Sequence, residues 1–137
     1  MELLQKWSRV CYQPSVGLLL IRVVTGLIFI SHGWMKYNNE GMIMGFMQSI
    51  GLPGFMAYAI TTVELAGGVM LILGVLTRVA GVALAIAMLV AIVKVTYPHG
   101  GFDGSQLESL LLATSLGLAF IGAGKYRLTH LFEHDQQ

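Results

Sequence analysis

The chain has 137 residues, of which 55% are hydrophobic and only 11% charged, and its net charge is +1. A globular domain carries roughly 25% charged residues, so a fully water-facing surface is excluded and lipid must solvate much of the exterior. The balanced charge gives no sign of a nucleic-acid partner, and the single cysteine, Cys11, excludes an internal disulfide, a CxxC redox pair and a thiolate zinc site.

Read in chain order, Lys6 and Arg9 precede a first apolar run over 16–35. A basic start is also how a cleaved signal begins. This run, however, is long, contains Arg22 and ends in His32-Gly33-Trp34 with no small-residue cleavage pattern, so it is expected to be a retained span. Asn38-Asn39-Glu40 and Gly51-Leu-Pro-Gly54 are turn-forming. Between them, residues 42–50 predict a short helix lying on the membrane. A second apolar run covers 55–76, and Gly74 to Arg78 makes a tight turn into a third over 79–97. The stretch from Pro98 to Gln106 reads as a turn-rich loop. It leads to a fourth run over 107–123 and a polar tail expected to fray after Leu131. A helix rises ~1.5 Å per residue, so the ~30 Å hydrocarbon core needs ~20 residues. No run alternates with period two, which excludes a membrane β-barrel reading.

These runs predict one all-α domain over 1–137, a transmembrane four-helix bundle. Lys6, Arg9, Arg78, Lys125 and Arg127 fall on one side of it and Lys36 and Lys94 on the other. Basic residues mark the cytoplasmic side, so both termini are expected there, with the 42–50 helix in the first outer loop. Gly26, Gly33, Gly67-Gly68, the alanines 83, 87 and 91, and Gly117 let helix backbones approach closely. They are a packing signal for a compact bundle.

Charges inside a bilayer cost ~2.5–3.5 kcal/mol or more, so Arg22, His32, Glu64, Lys94 and Glu108 are the informative positions. Arg22 and Glu64 lie roughly 9 Å apart in depth. They are expected to approach directly or through a water or polar side chain, which would keep both ionised. That contact either sets helix register or holds a carboxylate that handles protons or binds a ligand. Arg22, Gly26, Phe29, Gly33 and Lys36 share one face of the first helix, with His32 beside it; Thr61, Glu64, Gly67 and Gly68 share one face of the second. His32, Lys36, Lys94, His99 and Glu108 gather at the outer ends. Each also has a plain structural reading. The lysines would snorkel to headgroups, Glu108 would complement a helix N-terminus, and the histidines would be hydrogen-bonded interface residues. No histidine pair has metal-site spacing, so no metal is assigned.

The ordered pattern Arg22-x3-Gly26-x2-Phe29-x2-His32-Gly33-x2-Lys36, Gly51-Leu-Pro-Gly54, Glu64-x2-Gly67-Gly68, Gly74-x2-Thr77-Arg78 and Gly122-x-Gly124-Lys-Tyr126 resembles the DoxX family of small bacterial membrane proteins. The resemblance spans about Val16 to Leu128 and is weakest between Tyr97 and Leu107. It implies a four-helix membrane bundle in the bacterial inner membrane, with Arg22, His32, Lys36 and Glu64 at the family's polar positions. It also implies a link to redox systems, since relatives include a membrane subunit of a thiosulfate:quinone oxidoreductase. Quinone-using thiol oxidoreductases of similar architecture work through paired cysteines, which this chain lacks.

Two functions stand level. In one the chain is a redox-linked membrane subunit that binds a quinone or similar small amphiphile among Arg22, His32, Lys36, Glu64, His99 and Glu108. Its electrons would come from an oxidoreductase partner or a bound cofactor, so it would be a subunit rather than a self-sufficient enzyme. In the other it is a non-enzymatic scaffold or assembly factor that docks a soluble or membrane partner protein; a homo-oligomer is a further expectation. A small-molecule permease ranks lower, because the two halves of the chain do not repeat the Arg22 and Glu64 positions.

Overall fold

The computed structural model describes Met1 and residues 13–128. Lys6, Arg9, Cys11 and the tail beyond Leu128 lie outside the described residues. The elements, in order, are α1 (Pro14–Tyr37), α2 (Glu40–Ser49), α3 (Met56–Leu73), α4 (Thr77–Ala91), a π-helical turn (Ile92–Thr96), α5 (Tyr97–Gly104) and α6 (Gln106–Ile121). No strand occurs among the described residues.

Local chemistry sets the ends of these helices. Pro14 opens α1, where a missing N–H has no helical acceptor to lose and the ring presets φ. Gly74, at φ 72°, ends α3, and the Val75 amide turns back to bond the Met70 carbonyl at 3.1 Å. Leu76 follows at φ 47°, an uncommon value for a residue with a side chain, and α4 starts at once. The expected tight turn therefore forms, and α3 and α4 are packed neighbours. Gly122, at φ 85°, ends α6.

The region after the third apolar run differs from expectation. Residues 98–104 do not form an open loop; the helical path runs from Thr77 past Pro98 and, across a single break, on to Gly104. Pro98 cannot donate to the preceding turn and would crowd it. The wider ring of the π turn at Ile92–Thr96 lies just before it, an adjustment that commonly absorbs such a fault. The break is postponed to Gly101, whose φ 59° and ψ −150° suit only glycine. The buried Ser105 hydroxyl donates to the Gly101 carbonyl across the break, at 2.9 Å.

Three helical stretches are long and apolar enough to cross a membrane: Pro14–Tyr37, Met56–Leu73 and Thr77–Gly104. Helix α6 is equally apolar but has 16 residues, or roughly 24 Å of rise. Helix α1 packs along α3, α3 along α4, and α4 along α6. Phe29, Leu71, Leu84, Met88, Leu111 and Leu118 fill the space between them. Leu20, Val24, Leu27, Ile86 and Phe120 face outward, Phe120 at 82% exposure. Such an apolar exterior is what a lipid solvent requires.

Where backbones meet, glycine is the only residue that fits. A Cβ on Gly26 would lie 2.6 Å from the Gly68 carbonyl oxygen, and one on Gly68 would lie 2.7 Å from the Gly26 oxygen. A Cβ on Gly81 would lie 2.7 Å from the Ser115 oxygen. The predicted face of Gly26, Gly33 and Gly68 is thus the α1–α3 contact, whereas the close α4–α6 contact is made at Gly81, and a Cβ on Gly117 would meet nothing within 4 Å.

Candidate functional site

The α1–α3 crossing builds the site. Gly33 abuts Leu65, which brings α1 against α3 beside Glu64. Lys36 lies one turn further along α1, and its flexible stem reaches back to that carboxylate. Its Nζ donates to Glu64 Oε1 at 2.5 Å. Glu64 is wholly buried, whereas the Lys36 side chain keeps 19% exposure. The pairing shields two charges from hydrocarbon. It leaves the second carboxylate oxygen, Oε2, buried with no partner.

That unpartnered oxygen belongs to a residue lining a cavity of about 210 Å³. Helix α1 contributes His32 and Lys36, α3 Glu64, the π turn Thr96, and α6 Glu108 in its first turn. Ile43, Phe46 and Met47 of α2 line it too, and the rest of the wall is mainly aliphatic. The Thr96 hydroxyl is likewise buried and unpartnered. The 42–50 stretch does form a helix, and that helix packs on α3 with Met47 buried. It is part of the cavity wall, a role that its apolar pattern alone did not reveal.

Of the six candidate residues, four line this cavity: His32, Lys36, Glu64 and Glu108. His99 does not. Its side chain is exposed, bonds the Val95 carbonyl at 2.6 Å and lies 6.5 Å from the Phe46 ring. Lys94 is exposed on the π turn. Among the described residues no three of His, Cys, Asp and Glu cluster as metal ligands.

Arg22 is the clearest correction. It does not approach Glu64; Lys36, nearer on the same face, takes that carboxylate. The Arg22 side chain, 1% exposed, turns to the opposite end of α3. Its Nε donates to the Leu71 carbonyl at 2.9 Å, Nη2 to Ile72 at 3.1 Å, and Nη1 to Ala123 at 2.5 Å and Tyr126 at 2.6 Å. Carbonyls at helix C-termini have no partner within the helix and carry partial negative charge. A planar fork with five N–H donors can serve several at once. Gly74 makes room, since a Cβ there would lie 2.5 Å from Arg22 Nη2. Arg22 therefore ties the end of α3 to the chain beyond α6. Nothing in a sequence alone tells a charge that meets a carboxylate from one that meets carbonyls. Thr96 was missed for a similar reason: a lone threonine at a span end carries no signal.

The DoxX family model matches residues 17–97. The chain is 42% identical over 109 residues to a protein of Bacillus subtilis (strain 168) named "Putative oxidoreductase CatD", covering 80% of this chain and 81% of that one. It is 30% identical over 129 residues to "Inner membrane protein YqjF" of Escherichia coli (strain K12), covering 85% and 92%. It is also 35% identical over 141 residues to "Uncharacterized membrane protein Rv3486" of Mycobacterium tuberculosis, covering 89% and 85%. No solved structure matches the chain.

Proposed function

This chain belongs to the DoxX family of membrane proteins, and on that premise we propose that it is a redox-linked membrane subunit binding a small quinone-like amphiphile between α1, α3, α4 and α6. One observation carries the reading: a wholly buried carboxylate beside an apolar cavity, with one oxygen held by Lys36 and the other unpartnered. An acceptor left bare away from water costs ~1–3 kcal/mol or more, and a ligand hydroxyl or N–H would remove that cost. Lys36 keeps further N–H groups for a ligand carbonyl, and His32 can donate or accept. A reduced quinone ring, with one hydroxyl to donate to Glu64 Oε2 and an oxygen across the ring to accept from Lys36, matches this donor and acceptor set. The volume is below the ~300–1,000 Å³ of drug-sized sites, which suits a compact head group.

A bound quinone would supply the electron-accepting chemistry. The chain's own residues orient the head group and hold protons at Glu64 and Lys36, and an oxidoreductase partner delivers electrons. The name given to the Bacillus relative supports the redox assignment. The name of the Escherichia relative supports placement in a bacterial inner membrane. The cluster of Arg78, Lys125 and Arg127 at one end supports an orientation with that end cytoplasmic.

Binding of a short-chain benzoquinol or naphthoquinol, kept reduced so that its hydroxyl can donate to Glu64, tests the reading in the purified protein, repeated with Glu64→Gln. The expected result is saturable binding that weakens about tenfold in the variant, the worth of one charge-assisted hydrogen bond. Equal affinity in both removes Glu64 from the site. Absence of binding to the wild-type protein overturns the proposal.

A further inference from the structure

A second cleft, of about 530 Å³, opens at the far end of the helices, where α3 turns into α4 and α6 ends. It shares no lining residue with the first. Thr77, Arg78, Gly122, Gly124 and Arg127 are among those that line it. Arg78 lies across Gly122, where a Cβ would come 3.3 Å from its Nε. Arg127 packs against Gly74.

Two features of this cleft call for an anion. First, it lies at the N-terminus of α4, a helix of 15 residues with no acidic residue in its first turn. The leading amides of a helix have no intrahelical acceptor and carry the positive end of its dipole. Here the nearest charged side chain, Arg78, is also positive. Second, and independently, Thr77 is 4% exposed and its Oγ1 is buried with no partner, although the residue lines the cleft. A buried hydroxyl normally finds a bond, and this one has an O–H to give.

We propose that this cleft is a phosphate-binding site, with the Thr77 hydroxyl and the first amides of α4 on the phosphate oxygens and the guanidinium of Arg78 beside them. A tetrahedral oxyanion offers enough acceptors for a helix N-terminus, a hydroxyl and a guanidinium fork together. The phosphate comes either from the headgroup of an anionic lipid, since the cleft lies at the end of membrane-crossing helices, or from free inorganic phosphate. The site is independent of the quinone proposal, and either can fail without the other.

The test uses the full chain purified in detergent and stripped of lipid. Phosphatidylglycerol binding is followed by native mass spectrometry and inorganic phosphate binding by calorimetry, each for wild type, Thr77→Val, Arg78→Gln and Lys94→Gln. The wild type is expected to bind at least one probe. Thr77→Val should weaken that binding about fivefold, the loss of one hydrogen bond, and Arg78→Gln about tenfold or more. Lys94→Gln removes the same charge far from the cleft and should change nothing. Lipid binding alone identifies the headgroup as the source; binding of inorganic phosphate shows that the free anion suffices. If the valine variant does not fold, Thr77→Ala takes its place. The proposal is overturned if neither probe binds the wild type, if removing the Thr77 hydroxyl leaves affinity unchanged, or if Lys94→Gln weakens binding as much as Arg78→Gln.

Discussion

Replacing Arg22 by methionine keeps an unbranched apolar stem and removes the guanidinium. Four carbonyls, those of Leu71, Ile72, Ala123 and Tyr126, then lose their donor. At the lower end for bonds to a charged group, about 1.5 kcal/mol each, the gross loss is about 6 kcal/mol. Against this stands the charge no longer held in the bilayer, about 3 kcal/mol. The net expectation is a destabilisation of about 3 kcal/mol. Lysine at the same position keeps the charge but replaces the fork with a point donor of three N–H groups. Its loss should be similar, because the bilayer penalty remains and fewer carbonyls are served. Unfolding of the purified protein in mixed micelles with increasing dodecyl sulfate measures both. Probe binding by the folded fraction should match wild type, since Arg22 does not line the cavity beside Glu64. A loss of stability below about 1 kcal/mol would refute the carbonyl-clamp reasoning. So would a fully folded Arg22→Met protein that no longer binds the probe, because Arg22 would then belong to the ligand site.

The buried pair can be tested in the same assay. Lys36→Met alone strands the Glu64 carboxylate and should cost about 3 kcal/mol, whereas the double change Lys36→Met with Glu64→Gln should recover much of it; additive losses in the double-mutant cycle would show that the two side chains are not coupled. The helix crossing makes a geometric prediction. Gly68→Ala drives a Cβ to 2.7 Å from the Gly26 backbone oxygen and should cost about 2–3 kcal/mol. Gly17→Ala meets nothing within 4 Å and should stabilise α1 by a few tenths to about 1 kcal/mol. Similar unfolding midpoints for these two alanine variants would mean that α1 and α3 do not cross at Gly26 and Gly68.

The cavity and the cleft lie toward opposite ends of α3. Glu64 faces the cavity; Gly74, just past the last turn, lines the cleft and makes room for Arg22. Arg22 joins α1 to the carbonyls at the end of α3 and beyond α6, so the clamp holds together the elements that shape the cleft. It contributes nothing directly to the cavity.

Much of the architecture is determined by the sequence alone, because hydrocarbon penalises unsatisfied backbone and unpaired charge wherever a segment sits. Apolar run length marks α1, α3 and the helix from Thr77 onward. The Gly26, Phe29, Gly33 and Lys36 stripe follows from helical periodicity, as does the Thr61, Glu64, Gly67 and Gly68 face. Both of these faces are in contact in the structure. Turn chemistry was less decisive. Pro98 and two glycines read as a loop, yet the helix runs past Pro98 and breaks only at Gly101, and only the packed backbone could choose between those outcomes. The partners of the charges lay furthest from reach. Depth along a helix places Arg22 within range of Glu64, but which group it meets depends on how α1 crosses α3 and on where α6 ends. Helix crossing is a property of whole surfaces fitting together, and single residue positions do not encode it. Tertiary structure therefore gave Glu64 to Lys36 and the helix ends to Arg22, and it brought Thr96, Met47 and Thr77 to sites their local sequence does not announce.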